Sequence, residues 1–479
     1  ENGEKDDEDR IEAQGYGRED EVAYGDIEIR AGGDLHTIAS LDEDRLTAYE
    51  ERLRVGIKLS AQENVSEAKS ATETAADEGG VANGLRAIDA IQGARSSSVS
   101  ASAAIVAEYS RSESETSQTT VRPTVIQSSG DLRLVSGGDQ HHQGTQAYAG
   151  EDLKMAAGGS IHIESAQQTF DQSSDSISAS VSYGLGTEEA AISASLGASE
   201  HDNREAYQYN ARFQAGDQVR ISSTGNTRIE GAVVSGERIQ ADIGGNLIVA
   251  SRQDTGKERG WSANVSGSTT GSFSVAGSKT EGDKQWVEEQ TALRASDAVD
   301  IEVGGHTALK GAVIESGNGN LRLDTQTLAF SDIHDQDAYE YVSVSVGMHT
   351  GQSCSASGAT DCGSKQTGSR ETRVNSVDAQ YESYDKAQVN RATIGAGTII
   401  VRQDAETGRD STAGLNRDLA LAQESTRDRS RDYDVYYSDT SFDTIANTFN
   451  GNKGHNLIET LRPDLIVAEV AGSTVSGLD

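Results

Sequence analysis

Cysteine, proline and aromatic side chains are all scarce in this chain. Its 479 residues include two Cys, two Pro and two Trp, and Phe, Trp and Tyr together make up only 5%. Prolines at 123 and 463 alone leave nearly every backbone N–H free to donate, as strands bonded on both sides require. With 34% hydrophobic residues and so few rings, the chain is poor material for a thick globular core. It suits a thin interior of small aliphatic side chains stacked layer on layer. No apolar run reaches the ~18 residues of a membrane-spanning helix. The acidic start, from Glu1 to Asp9, has no apolar segment of a secretory leader, so an exported form is expected to be an internal piece of something longer. Positive charge is also short. Against 77 Asp and Glu stand 41 Lys and Arg, giving a net charge of −36 and arguing against binding to nucleic-acid phosphates. The acidity reads as solubility, since neither a glycine-rich calcium nonapeptide nor an EF-hand loop occurs.

What the chain does have is glycine, 51 residues of it, and internal repetition. Ala215-Gly216-Asp217-Gln218-Val219-Arg220-Ile221 returns 80 residues later as Ala295-Ser296-Asp297-Ala298-Val299-Asp300-Ile301. The match runs on through Gly225/Gly305, Thr227/Thr307, Ile229/Leu309 and Gly231/Gly311. Inside it lies a period of 20, which pairs Val219 with Ile239, Asn226 with Asn246 and Ile229 with Val249. A second group repeats at 21, with Leu132/Leu134 matching Leu153/Met155 and Gly137-Gly138 matching Gly158-Gly159. Each short unit contains two bursts of alternation, the mark of strands with one buried face. A unit of 20 residues cannot bury that face alone, but identical units stacked ~4.8 Å apart can. The pattern predicts an all-β, right-handed parallel β-helix, with glycine at the corners where φ turns positive. Val219, Ile221, Ile229, Ile239, Val299, Ile301, Leu309, Leu321 and Leu323 are its expected lumen.

The array is interrupted regularly. Residues 1–23 read as an acidic N-terminal segment, 24–402 as the β-helix and 403–479 as a C-terminal junction. Insertions fall at about 41–125, 171–210, 253–292 and 335–390. Ile177-Ser178-Ala179-Ser180-Val181 followed by Ile192-Ser193-Ala194-Ser195-Leu196 reads as a β-hairpin with one apolar face. So do the segments around Trp261 and Phe273, and around Tyr341. An isolated hairpin is marginal in water, so successive hairpins are expected to pair sideways into a sheet, the alternative being independent fingers. Helical spacing predicts short helices at Leu85-x-x-Ile88-x-x-Ile91 and from Leu415 through Leu419 to Glu424.

The Gly-Asp-x-x-Ile coils, Gly231-Ala232-Val233-Val234, Gly311-Ala312-Val313-Ile314 and the run Leu321-Arg322-Leu323-Asp324-Thr325 resemble the haemagglutinin repeats of filamentous-haemagglutinin-like exoproteins. The resemblance covers roughly 24–440. Residues 392–399, followed by Gly414-Leu415-Asn416-Arg417-Asp418, are similar to the end of that region in contact-dependent growth inhibition effectors. No Val-Glu-Asn-Asn motif and no toxin is present. The resemblance implies secretion to the outer surface of a Gram-negative cell through an outer-membrane two-partner-secretion transporter. It also implies engagement of a target-cell receptor or envelope, and an immunity protein only for a toxin downstream. Plain adhesins belong to the same family.

No catalytic, cofactor-binding or metal-binding set is read from the residues. Asp26, Asp131, Asp152, Asp217 and Asp297 all open a coil. A catalytic carboxylate cluster should break the repeat and not obey it, so they read as turn caps. This sets a carbohydrate-processing β-helix enzyme behind a non-enzymatic stalk. His141 and His162, one period apart and both outward, read as an exposed polar ladder, the alternative being a metal site, and Asn226/Asn246 as a corner ladder, the alternative being carbohydrate binding. Cys354 and Cys362, close together in a Gly/Ser-rich stretch, are a candidate structural disulfide, the alternative being two free thiols. Trp261, Trp286, Tyr183 and Tyr341 read as packing hairpin against coil, with partner contact as the alternative, because aromatics anchor binding surfaces.

Overall fold

Alternation such as Leu132-x-Leu134 puts one side chain in two toward the interior, and the next repeat supplies the strand that covers it. The computed structural model describes residues 10–16, 24–61, 101–185, 190–352 and 370–438. It is a right-handed parallel β-helix carrying a separate lateral sheet. The coils have three faces. On the first face the stack runs Ile27, Leu132, Leu153, Val219, Ile239, Val299 and Leu321, each beside the next in parallel register. A second face stacks Thr37, His142, Ile163, Ile229, Val249, Leu309 and Phe330. A third stacks Ile126, Ala147, Phe213, Val234, Leu293, Ile314 and Ile394. All nine expected lumen residues are buried. At roughly 1.5–3 kcal/mol for each large aliphatic side chain buried, these rows dominate the stability of the stack.

Two kinds of corner join the second face to the third, and they alternate. In every other coil the corner is one tight turn around a positive-φ glycine: Gly144 (φ 59), Gly231 (φ 65) and Gly311 (φ 54). A Cβ on Gly144 would meet Cβ of Ala166 at 2.7 Å, so space and backbone conformation both demand glycine there. In the coils between, the corner is a long antiparallel hairpin. The four hairpins are Ser40–Ala61 with Ala101–Arg122, Ala166–Leu185 with Ala190–Tyr209, Asp254–Ser268 with Ser272–Trp286, and Ile333–Gln352 with Arg370–Asn390. Two coils climb about 9.6 Å, the width of two strands about 4.8 Å apart. A hairpin in every second coil therefore reaches its neighbour edge to edge. The three expected hairpins pair sideways, as predicted; the first insertion, not read as a hairpin from the sequence, forms a fourth that joins them, and a ninth strand, Gln423–Ser438, closes the series against Arg370–Asn390. The long repeat of 80 residues is thus two coils plus one hairpin.

The other corner, between the first and second faces, is held by a polar ladder. The side-chain oxygens of Asp34, Asp139, Ser160, Asn226 and Asn246 each accept from the backbone N–H of the equivalent residue one coil on, ending at His306, at 2.6–3.1 Å. The expected Asn226/Asn246 ladder is its middle. Asp26, Asp131 and Asp152 form a parallel ladder at the start of the coils, accepting from the N–H groups of Asp131, Asp152 and Gln218 at 3.0–3.2 Å. These aspartates therefore bond to the next coil and do not cap their own turn. Asp217 lies one residue out of this register and takes no part in the ladder.

The C-terminal end departs from the sequence reading. The helix is α1, Arg402–Thr407, stopped by Gly408 at φ 67. Between Leu415 and Glu424 the expected helix is only one 3-10 turn, Leu419–Leu421, before the chain enters the ninth strand. Tertiary contacts outweigh the helical spacing here. Leu415 is buried in the main core, Ala422 packs with Ala292 and Val313, and Arg417 donates to the carbonyls of Gly395 and Gly397. Arg10–Tyr16 runs antiparallel to Tyr24–Ala31 at the other end. The expected helix at 85–91 and the Cys354–Cys362 pair lie outside the described residues.

Candidate functional site

The lateral sheet has two unlike faces, set by the alternation of its strands. One face is a serine carpet. Ser176 meets Ser199 at 2.8 Å, Ser180 meets Ser195 at 2.8 Å, Ser262 meets Ser278 at 2.7 Å and Ser266 meets Ser274 at 2.7 Å, hydroxyl to hydroxyl across neighbouring strands. The other face is apolar in continuous rows. One row crosses all nine strands as Leu53, Tyr109, Ala179, Leu196, Val265, Val275, Val346, Val377 and Tyr437. The next runs Val55, Ala107, Val181, Ala194, Gly267, Phe273 and Met348. Much of this face is open: Leu53 is 75% exposed and Leu196 65%. Nine strands about 4.8 Å apart and several rows about 7 Å apart make a patch on the order of 1,000 Å², well above what a monomeric surface ordinarily leaves bare.

The two outermost strands carry a different composition. Ser40–Ala61 and Gln423–Ser438 alternate acidic residues and arginines, and their ion pairs include Arg427 with Asp385 at 2.9 Å. Charged outer strands discourage edge-to-edge pairing with foreign chains. The central strands, already paired on both sides, need no such protection.

The four aromatics singled out from the sequence are not brought together. Trp261 and Tyr183 stand on the apolar face, Tyr341 stands on the serine face, and Trp286 sits at the root of the third hairpin opposite Asp254. Trp261 is 46% exposed and donates from Nε1 to Glu200 Oε2 at 3.0 Å. With Arg111, Glu113, Asp175 and Ile177 it edges a shallow depression of about 330 Å³. The depression lies where the apolar rows give way to charged ones.

The hairpin roots are pinned by buried aspartates that the sequence reading passed over. Asp335, 3% exposed, accepts from Val287 N–H at 2.8 Å, Gln253 Nε2 at 2.8 Å, Gln388 Nε2 at 2.7 Å and Asn390 Nδ2 at 2.6 Å. Asp254 accepts from Gln208 N–H at 2.6 Å, and burial pushes its carboxyl up. Nothing in a single Asp signals such a role, because each reaches partners on a neighbouring hairpin.

The histidines separate into two roles. His142 points into the lumen, fully buried, bonded through Nδ1 to Thr37 Oγ1 at 2.6 Å and packed on Phe213. Burial lowers its pKa to about 3. His141 and His162 face outward and stack with ring centroids 5.0 Å apart. They are not a bare polar ladder. His141 Nε2 lies 2.8 Å from Glu164 Oε1, and Arg252 donates to Glu164 Oε2 at 2.6 Å and Glu230 Oε2 at 3.0 Å. The alternation Ile161-His162-Ile163-Glu164 already put His162 and Glu164 on one side of a strand. Only the coil stack adds Glu230 and Arg252.

A triangular parallel β-helix with a lateral hairpin sheet of this kind defines a fibrous repeat protein. The chain belongs to the filamentous-haemagglutinin-like proteins, and residues 105–265 match the haemagglutinin repeat family. It is 32% identical over 352 residues to the deoxyribonuclease CdiA of Dickeya dadantii (strain 3937), covering 69% of this chain and 10% of that protein. It is 31% identical over 392 residues to the tRNA nuclease CdiA of Escherichia coli (strain NC101), covering 75% and 11%. A toxin CdiA of Escherichia coli is 30% identical over 304 residues, covering 59% and 10%. The chain thus spans about a tenth of the length of these curated relatives. No solved structure matches it. No helix among the described residues is long and apolar enough to cross a membrane.

Proposed function

We propose that this segment is a non-enzymatic stalk of a secreted exoprotein on the outer surface of a Gram-negative cell. In that setting it supports contact with neighbouring bacteria and delivery of a toxin carried elsewhere in the longer chain. The single observation that carries the reading is the exposed apolar face of the lateral sheet. The solenoid supplies stiffness and reach, and its hairpins cost chain entropy that a mere spacer would not need. The nuclease names of the relatives fit a payload outside the matched tenth. Export would run through an outer-membrane two-partner-secretion transporter, and the sheet would meet the target-cell envelope or a receptor in it. An immunity protein belongs to the toxin and not to this segment.

The test uses the full-length parent protein displayed on its own cell. Leu196→Asn, Val265→Thr and Val346→Thr together make the apolar face polar without touching the lumen or the backbone ladder. Display at the surface is expected to persist, with target-cell inhibition reduced at least about tenfold. Unchanged inhibition would make the sheet a purely structural brace. Target-cell binding lost without any inhibitory activity in the parent would favour the plain-adhesin reading.

A further inference from the structure

We propose that His141, His162 and Glu164 form a binding site for one divalent transition-metal ion of the zinc type. Their three donor atoms lie within 4.8 Å of one another on the outer surface of the second face. His162 Nε2 is buried and makes no hydrogen bond, yet it points at two carboxylates, 3.7 Å from Glu164 Oε2 and 3.7 Å from Glu230 Oε2. That separation is too long for a hydrogen bond. It is close to the roughly 3.4 Å that separates two ligands each about 2.1 Å from a shared tetrahedral ion. A ring nitrogen that faces two carboxylates without a hydrogen bond to either is placed to share a cation with them.

The rest of the cluster fits the same reading. The stacked rings of His141 and His162, 11° from parallel, present their Nε2 atoms to the same side, toward Glu164. The His141 Nε2 to Glu164 Oε1 bond opens to admit the ion, while Glu164 Oε2 keeps Arg252. Two imidazoles and a carboxylate suit zinc, cobalt(II) or nickel(II), and not calcium or magnesium, which take oxygen ligands. Arg252 and Glu230 lie immediately around the donors, and such neighbours orient metal ligands. The two carboxylates and the guanidinium sum to −1, so a divalent ion leaves +1 on a chain of formal charge −36. The ligands come from two successive coils, Glu230 from the next and Arg252 from the one after. Glu164 and Arg252 stand just ahead of the second and third hairpins. Ion binding would therefore staple the coils where two hairpins leave the stack.

The experiment titrates the metal-free purified chain with Co²⁺, followed by its visible absorption, and with Zn²⁺ by calorimetry. One ion per chain is expected, with an intense tetrahedral cobalt spectrum. His162→Gln and His141→Gln, chosen to keep a polar surface, should each weaken binding at least about tenfold, and Glu164→Gln likewise. Zn²⁺ should raise the melting temperature of the parent and not of His162→Gln, while His334→Gln, on the fourth hairpin, behaves as the parent. Circular dichroism checks that each variant keeps its β content. No stoichiometric binding, or binding indifferent to His141→Gln and His162→Gln, overturns the proposal. It stands apart from the apolar face, so its failure leaves the reading of the sheet untouched.

Discussion

At the scale of single residues, the lumen is unforgiving and the surface is not. Ile301 is fully buried between Ala241 of one coil and Leu323 of the next. Ile301→Asp puts an unpaired carboxylate into a dry interior and should cost at least about 3 kcal/mol. A chemical denaturation midpoint equal to that of the parent would show the register to be wrong. His142 makes the second residue-scale prediction. Its folded pKa, about 3, lies below the ordinary value of 6.5. Between those two pH values the unfolded chain binds a proton that the folded chain refuses. Stability from this group is therefore complete above pH 6.5 and falls by up to about 1.4 kcal/mol per pH unit below it. Glu230, held down at about 2 by its contact with His162 and by Arg252, adds a further loss only below its ordinary 4.5. His142→Leu should flatten the decline between pH 6.5 and 4.5 while leaving the steeper fall below it. A parent-like slope in that variant would assign the acid sensitivity elsewhere.

At the scale of elements, the hairpins depend on one another. The third hairpin is bonded on one side to the second and on the other to the fourth. Removing residues 261–286 with a short Gly-Ser closure takes one whole strand and the outer half of another from the middle of the sheet and leaves its neighbours with raw edges. The expected result is a lower melting temperature and faster proteolysis within the second and fourth hairpins. Independent fingers would give unchanged protease patterns in both. Asp335 provides a finer probe of the same coupling, because its carboxylate ties Val287, Gln253, Gln388 and Asn390 together. Asp335→Ala leaves several buried donors without an acceptor, at about 1–3 kcal/mol for each that finds no substitute. A loss below about 1 kcal/mol by denaturant titration would mean that the hairpin roots are held by other contacts.

At the scale of the whole molecule, charge and shape work against each other. A chain of formal charge −36 repels itself, and the elongated stack spreads that charge along its length. Raising ionic strength from a few millimolar to physiological should therefore raise the melting temperature, because screening weakens the repulsion more than it weakens the apolar stack. A fall in melting temperature would show that surface ion pairs, such as Arg252 with Glu164, contribute more than the repulsion costs. The apolar face of the sheet lies amid this negative field, which opposes its pairing with a second copy of the segment.

The amino-acid sequence alone determined the solenoid. Side-chain period two and repeats of 20 and 21 residues decide inside from outside within each coil, and stacking like on like then fixes register without further information. For that reason Val219, Ile239 and Val299 lie where the repeat puts them, and the Asn226/Asn246 ladder with them. Hairpins at Ile177 and Trp261 were equally legible, because alternating Ser and Val is a local signal. Other features exist only once the coils are built. Alternate-coil spacing of the hairpins, two coils matching the width of two strands, joins them into one sheet and leaves its apolar rows on a single face. The strand at 423–438 joins them because an open edge waits at Arg370–Asn390, a contact that the helical spacing around Leu419 gave no hint of. His141, His162, Glu164, Glu230 and Arg252 span 112 residues, and no local pattern links them. Their meeting is set by the rise of about 4.8 Å per coil, a property of the stack and not of any residue in it.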